Sequence, residues 1–175
     1  YATLGGIGLT GIILEAKIQL RSVQSPWIHS ETIPYHNLDE FFALSDSSET
    51  DWEHTVSWID CMNGANAKGL FARGNLSSEH TQVEPKIKDK TFPITPPISL
   101  VNKLSLPIFN FAYFHGNSLK KQPQKVHYEP FFYPLDAMHE WNKMYGPKGF
   151  YQYQSVVPKE IGKEVTQEML NAIKK

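Results

Sequence analysis

The chain has 175 residues, of which 41% are hydrophobic, 20% charged and 13% aromatic, a composition that excludes disorder and suits one buried core rather than two full domains. Seventeen Lys and Arg against 18 Asp and Glu leave a net charge of -1, so no cationic excess exists to neutralise a phosphate backbone and nucleic acid is excluded as a partner. Cys61 is the single cysteine, which excludes an intrachain disulfide and a multi-thiolate zinc site and suits a reducing, cytoplasmic compartment.

In chain order, Ile12, Leu14, Ala16, Ile18 and Leu20 alternate with Glu15, Lys17, Gln19 and Arg21, a period of two that predicts a strand with one wet face. Ser22 to Pro26 interrupts it, placing a boundary near Arg21 to Ser25, and Trp27 to Ile33 reads as a second extended segment. Asn37 before Leu38-Asp39-Glu40 is a capping-box arrangement, and Leu38, Phe41, Phe42 and Leu44 have the spacing of a helix ending near Ser45 to Ser48. Trp52, Val56 and Trp58 mark a strand reaching Asp60, with Leu70 to Arg73 as its antiparallel partner across Asn63-Gly64.

Asn75 to Pro97 is polar and carries Pro85, Pro93, Pro96 and Pro97, an irregular loop of the kind that often forms a lid. Leu100 to Leu106 and Ile108 to Leu119 suit either short helices or a buried turn-rich segment; in both cases Phe109, Phe111, Tyr113 and Phe114 demand a cover. Ile98 to Phe114 is broken by Asn102, Lys103, Pro107 and Asn110, so it falls short of the roughly 20 apolar residues of a membrane span, and no transmembrane segment is expected. Lys125 to Phe132 reads as a strand, Asp136 as the cap of a helix from Ala137 to Met144 stopped by Gly146-Pro147, and Phe150 to Val157 as a further strand. Pro158 opens a last helix with the stripe Ile161, Val165, Met169, Ala172 and Ile173. This mixed order predicts an α+β fold with a mainly antiparallel sheet and flanking helices.

Gly6-x-Gly8-x-x-Gly11 spells a dinucleotide fingerprint, but a strand follows it where a phosphate-binding helix is required. Glycines leading into a strand instead permit positive φ and close approach of main chain to a flat ligand, or form a plain turn. Gln152 and Gln154 point the same way on their predicted strand, two amides suited to sugar hydroxyls or to a solvent-facing polar row. The seven histidines lack metal-site spacing, and neither a nucleophile elbow nor a phosphate loop is present, so no metal is expected. Cys61 reads as a packed thiol, Trp52 and Trp58 as core residues or, for Trp58, a pocket wall, and Asn75-Leu76-Ser77 matches a glycosylation sequon.

Two blocks carry a resemblance. Gly5-Gly6-Ile7-Gly8-Leu9-Thr10-Gly11-Ile12-Ile13-Leu14-Glu15-Ala16, and later Tyr133-Pro134-Leu135-Asp136, Glu140-Trp141-Asn142, Tyr145-Gly146-Pro147, Gly149-Phe150 and Gln152-Tyr153-Gln154, resemble FAD-linked oxidases of the vanillyl-alcohol-oxidase (PCMH) type, in the branch of the polyprenyl-phosphosugar (decaprenylphosphoryl-ribose) oxidases. Trp58-x-Asp60 and the Leu38 to Ser47 helix are intermediate anchors. The resemblance implies that residues 1–24 are the C-terminal edge of an FAD-binding domain, including its last strand, and that residues 25–175 are a substrate-binding domain truncated at its C-terminal end. It implies that Gly6, Gly8, Gly11, Ile12 and Ile13 lie along the flavin of FAD, and that Gln152, Gln154 and Trp58 line a sugar pocket with Pro134 to Lys148 near its mouth. Phe132 stands where the branch has a tyrosine, removing a hydroxyl from the substrate side.

The implied reaction is oxidation of a sugar hydroxyl by hydride transfer to flavin N5, with a polyprenyl-phosphosugar as substrate and a short-chain reductase as partner in an epimerisation. An aldonolactone-type (arabinonolactone-like) oxidase and a non-catalytic binding domain on the same scaffold are the alternatives. The resemblance also implies that phosphate-binding and lysine-bearing segments of the family lie outside these 175 residues. No catalytic residue is therefore assigned within them, and the chain alone is expected neither to hold FAD tightly nor to turn over. A cytoplasmic location is expected, with a place at the membrane periphery as the alternative.

Overall fold

The computed structural model describes residues 3–80, 90–135 and 138–174. At its centre is a four-stranded antiparallel sheet in the order β2-β3-β1-β5, built from β1 (Trp27–Tyr35), β2 (His54–Ile59), β3 (Gly69–Leu76) and β5 (Gln124–His127). A two-residue parallel pair, β4 (Lys90–Thr91) with β6 (Met138–His139), stands apart from it. Four helices flank these strands: α1 (Leu38–Ser48), α2 (Ser105–Ser118), the short α3 (Tyr128–Phe132) and α4 (Gly162–Lys174). The expected α+β arrangement with a mainly antiparallel sheet is the one found.

Register assigns the side chains to two faces. Pairing of Ile33 with Phe71, Tyr35 with Gly69, and Ser57 with Phe71 puts these residues and Ile59 on one face. There Phe41 of α1 lies 5.5 Å from the Tyr35 ring and 5.9 Å from Phe71. Beside it, Leu38, Ala67 and Leu170 form a buried cluster joined by Phe42, Ile59 and Cys61, so α4 docks on the same side and Cys61 is a packed thiol. The opposite face carries Ile28, Leu70, Ala72, Gly74, Val56 and Trp58, and meets α2 and α3.

Helix α1 begins where its capping residues direct. Asn37 accepts a hydrogen bond from the Glu40 amide at 2.9 Å, and Glu40 accepts one from the His36 amide at 2.7 Å, while Asp39 and Glu40 place negative charge at the helix N-terminus. At its other end the buried Ser48 hydroxyl accepts from Arg73, which also pairs with Glu31 at 2.8 Å and lies over the Trp52 ring at 4.5 Å. Asn75 is spent in the same way: its side chain accepts from the Glu53 amide and donates to the Asp51 carbonyl, pinning the entry to β2. The sequon asparagine thus has a structural role.

Several expectations are corrected. Residues 12–21 form no strand; their apolar side chains stand exposed, because an alternating pattern becomes a strand only when a neighbour completes its ladder, and none of the described residues does. Residues 150–157 are likewise unpaired, and all but the half-buried Val157 are exposed. The stretch predicted as a strand to Phe132 splits into β5 and then α3, since Pro130 lacks the amide that a continuing ladder needs. Residues 105–118 form one helix, with Pro107 tolerated in its first turn. Asp136 and Ala137 lie outside the described residues; after them come β6 and a 3-10 turn over Trp141–Tyr145 rather than one helix. Of the 75–97 loop, residues 81–89, including Pro85, also lie outside. In α4 the buried positions are Gly162 and Leu170, with Ile173 exposed.

Gly69 is required by close approach: a Cβ there would overlap the Tyr35 hydroxyl and the Trp58 carbonyl. Gly69→Ala in the full chain is expected to cost about 1–3 kcal/mol, the usual range for overpacking, read as a lower denaturant midpoint with unchanged slope.

Candidate functional site

The sheet face that meets α2 is the candidate site, because it brings two of the predicted residues onto one surface. Trp58 and His54 share that face of β2, four residues and roughly 13 Å apart, with the half-exposed Val56 between them. The half-buried Trp58 ring lies 4.9 Å from Tyr113 of α2, which stacks on Phe109 at 5.7 Å. At the other end of the strand, His54 meets the edge of Phe132 at 4.9 Å. Trp58 and Phe132 therefore bound the same strip of sheet from opposite ends.

Asp60 holds the Trp58 end in place. Its buried carboxylate accepts from Asn110 of α2 at 2.8 Å and from the Met62 amide at 3.2 Å, which caps the 3-10 turn Cys61–Asn66. Asn110 is itself buried, so the hydrogen bond locks the rotation of α2 and sets Tyr113 against Trp58. The Phe132 end opens into a cleft of about 800 Å³ lined by Arg21, Val23, Glu53, His54, Tyr128 and Phe132 among others. Arg21 and Glu53 form an ion pair across it, and His54 lies 3.7 Å from the same carboxylate. The Arg21 hydrogen bond holds the Glu53 carboxyl below the ordinary carboxylate range; partial loss of water opposes this, and the charges of Arg21 and His54 add to it.

The remaining expected residues are placed differently. Gln152 and Gln154 lie exposed on an unpaired segment and make no hydrogen bond to a described residue. That segment is held at both ends. Phe150 packs 4.4 Å from Tyr145 and 5.3 Å from Trp141, and the Ser155 hydroxyl approaches the Met169 sulfur of α4 at 3.8 Å. The later motif block is thereby explained in part as an aromatic cluster. Gly146, at φ 72°, closes it where a Cβ would stand 3.1 Å from the Ser99 amide nitrogen. Gly6, Gly8, Gly11, Ile12 and Ile13 lie on the exposed opening segment. Among the described residues, no group of three or more His, Cys, Asp or Glu side chains is placed to hold a metal ion.

Sequence reasoning missed Asn110, Tyr113, His54 and the Arg21–Glu53 pair. Asn110 left a signal, a lone amide amid Phe109, Phe111 and Phe114, which is the pattern of a polar group with a specific buried partner. The contact between Arg21 and Glu53, 32 positions apart, left none.

No family model matches the chain. It is similar to decaprenylphosphoryl-beta-D-ribose oxidase of Mycolicibacterium smegmatis (strain ATCC 700084 / mc(2)155), with 33% identity over 177 aligned positions that cover 94% of this chain and 38% of that protein. The chain thus spans about two fifths of the length of the relative it matches. The resemblance read from the two motif blocks extends over nearly the whole chain.

Asn110→Leu is expected to cost about 1–3 kcal/mol by leaving Asp60 short of a donor, and to shift the Trp58 fluorescence as Tyr113 loses its fixed position. Because the Glu53 pKa is depressed, the stabilisation from its pair with Arg21 is present above the ordinary carboxylate pKa and is lost as pH falls through the lower folded value. A carboxyl-carbon NMR titration should place Glu53 below the ordinary glutamate value, and Arg21→Ala should raise it back toward that value.

Proposed function

We propose that this chain is the substrate-binding portion of an FAD-dependent oxidoreductase that oxidises a sugar hydroxyl, with a polyprenyl-phosphosugar as substrate. The observation that carries the reading is the 33% identity to a decaprenylphosphoryl-ribose oxidase over 94% of the chain. The open strip between Trp58 and Phe132 is in keeping with it: a flat aromatic wall at one end and a cleft with cationic and imidazole groups at the other are suited to a sugar with a polar extension.

The opening segment is compatible with a flat cofactor. Gly8 and Gly11 have φ of 75° and 138°, and a Cβ added at either would meet nothing, so the main chain there is bare and open to close approach. In this reading Gly6, Gly8, Gly11, Ile12 and Ile13 lie along the isoalloxazine of FAD. When bound, FAD supplies the acceptor for the hydride leaving the carbinol carbon. The chain's own residues bind and orient. Trp58 presents an apolar face to the sugar ring, the amides of Gln152 and Gln154 exchange hydrogen bonds with its hydroxyls, and Phe132 narrows the pocket without adding a donor. No described residue is assigned the hydroxyl proton. A short-chain reductase that consumes the ketone, and a cytoplasmic site of action, complete the proposal.

The test is anaerobic flavin reduction in the full-length protein, with phosphosugars and aldonolactones offered separately. Bleaching by a polyprenyl-phosphosugar is the expected result. Bleaching by aldonolactones alone moves the assignment to that class, and bleaching by no sugar ends it. Gln152→Ala and Gln154→Ala should each lower kcat/KM by roughly 10- to 100-fold, the equivalent of losing about 1–3 kcal/mol of hydrogen bonding.

A further inference from the structure

Helix α2 is apolar on both sides, unlike an ordinary surface helix. Leu106, Asn110 and Phe114, at successive i, i+4 positions, face the sheet, and two of those three are buried. The opposite side, expected to be polar, carries Leu104, Ile108, Phe111 and Leu119, of which Ile108 is 73% and Phe111 62% exposed. Ile94, Ile98 and Leu100, which lead toward the helix, are more than half exposed as well. Exposed apolar side chains in this number along one helix face call for a partner.

Charge distinguishes the partners. Between Asp89 and Glu129 there is no carboxylate, yet Lys90, Lys103, Lys120, Lys121 and Lys125 fall in that interval. The remaining sequence holds the other 12 Lys and Arg against all 18 Asp and Glu, so the cationic excess of a chain of net charge -1 falls in the interval that contains this helix; within it Lys125 is paired with Glu79, which leaves Lys103, Lys120 and Lys121 beside α2. Lys103 stands just before α2, and Lys120 and Lys121 just after it; all three are exposed and none pairs with a carboxylate of the described residues. Apolar side chains framed by lysines without a carboxylate partner match a surface with an acyl interior and an anionic rim.

We infer that α2 and its flanking lysines form a docking face for an anionic lipid bilayer, with Leu104, Ile108, Phe111 and Leu119 entering the headgroup boundary. No helix among the described residues is long and apolar enough to cross a membrane, so the contact is interfacial. The inference needs neither flavin nor sugar. If the proposed substrate is also correct, docking would bring Tyr113 and Trp58, which touch across α2 and β2, close to the surface that carries a polyprenyl chain.

The test is co-sedimentation of the full-length protein with vesicles of phosphatidylcholine alone and of phosphatidylcholine mixed with phosphatidylglycerol, with flavin reduction followed in parallel. Binding only to the anionic vesicles, weakened by salt, is expected. Lys103→Glu, Lys120→Glu and Lys121→Glu together should weaken it by roughly 100-fold, about fivefold per lysine. Ile108→Ser with Phe111→Ser should abolish it at unchanged thermal stability, whereas Lys174→Glu on α4 should leave it intact. Equal binding to neutral vesicles, or none to either, overturns the inference. So does concentration-dependent self-association that those two serine variants remove, since a second copy would then cover the helix. Loss of flavin reduction with vesicle binding retained would count against the catalytic reading alone.

Discussion

A carboxylate buried at the end of β2 organises much of this molecule. The Asp60 amide donates to the Lys68 carbonyl and closes the β2–β3 connection, while its side chain caps the following 3-10 turn and accepts from Asn110. Two donors offset the loss of water that a buried carboxylate would otherwise suffer at a cost of several kcal/mol. The capped turn in turn carries α4: Asn171 accepts from the Ala65 amide at 3.1 Å, and Gly64 is bare beneath the same side chain. One residue thus ties a helix to each face of the sheet.

The two faces are unequal because their cover is unequal. On the α1 side, Phe41 and Phe42 meet Tyr35, Phe71 and the Leu38–Ala67–Leu170 cluster, and α4 completes the layer. On the α2 side one long helix, held by Asn110 and Phe114, and the five-residue α3 leave Val56 half exposed and Trp58 only partly covered. Aromatic and apolar surface left uncovered on a rigid sheet is where a ligand gains most from desolvation. The proposed sugar site and the proposed lipid face both arise from this shortage of cover, one beneath α2 and one above it.

Local chemistry was legible wherever the controlling contacts lie close in sequence. The Asn37–Glu40 cap announces α1, Asn63-Gly64 marks the β2–β3 connection, and the extended segment read at Trp27 to Ile33 is β1. The same reading misled over residues 12–21 and 150–157, where alternation is present but no adjacent strand is, so the backbone groups stay with water. The fate of residues 105–118 could not be read because their apolar residues surround the helix instead of forming a stripe.

Sequence alone determined the α+β class, the capped first helix, the antiparallel pair around Asn63-Gly64 and the family likeness, because each rests on neighbours within a few positions or on ordered motif residues. Only tertiary structure decided that Asn110 would find Asp60 across 50 positions, that Arg21 would meet Glu53, and that Trp58 and Phe132 would bound one strip of sheet. Those pairings depend on strand register and helix rotation, and both are set by how all the buried side chains fit together at once.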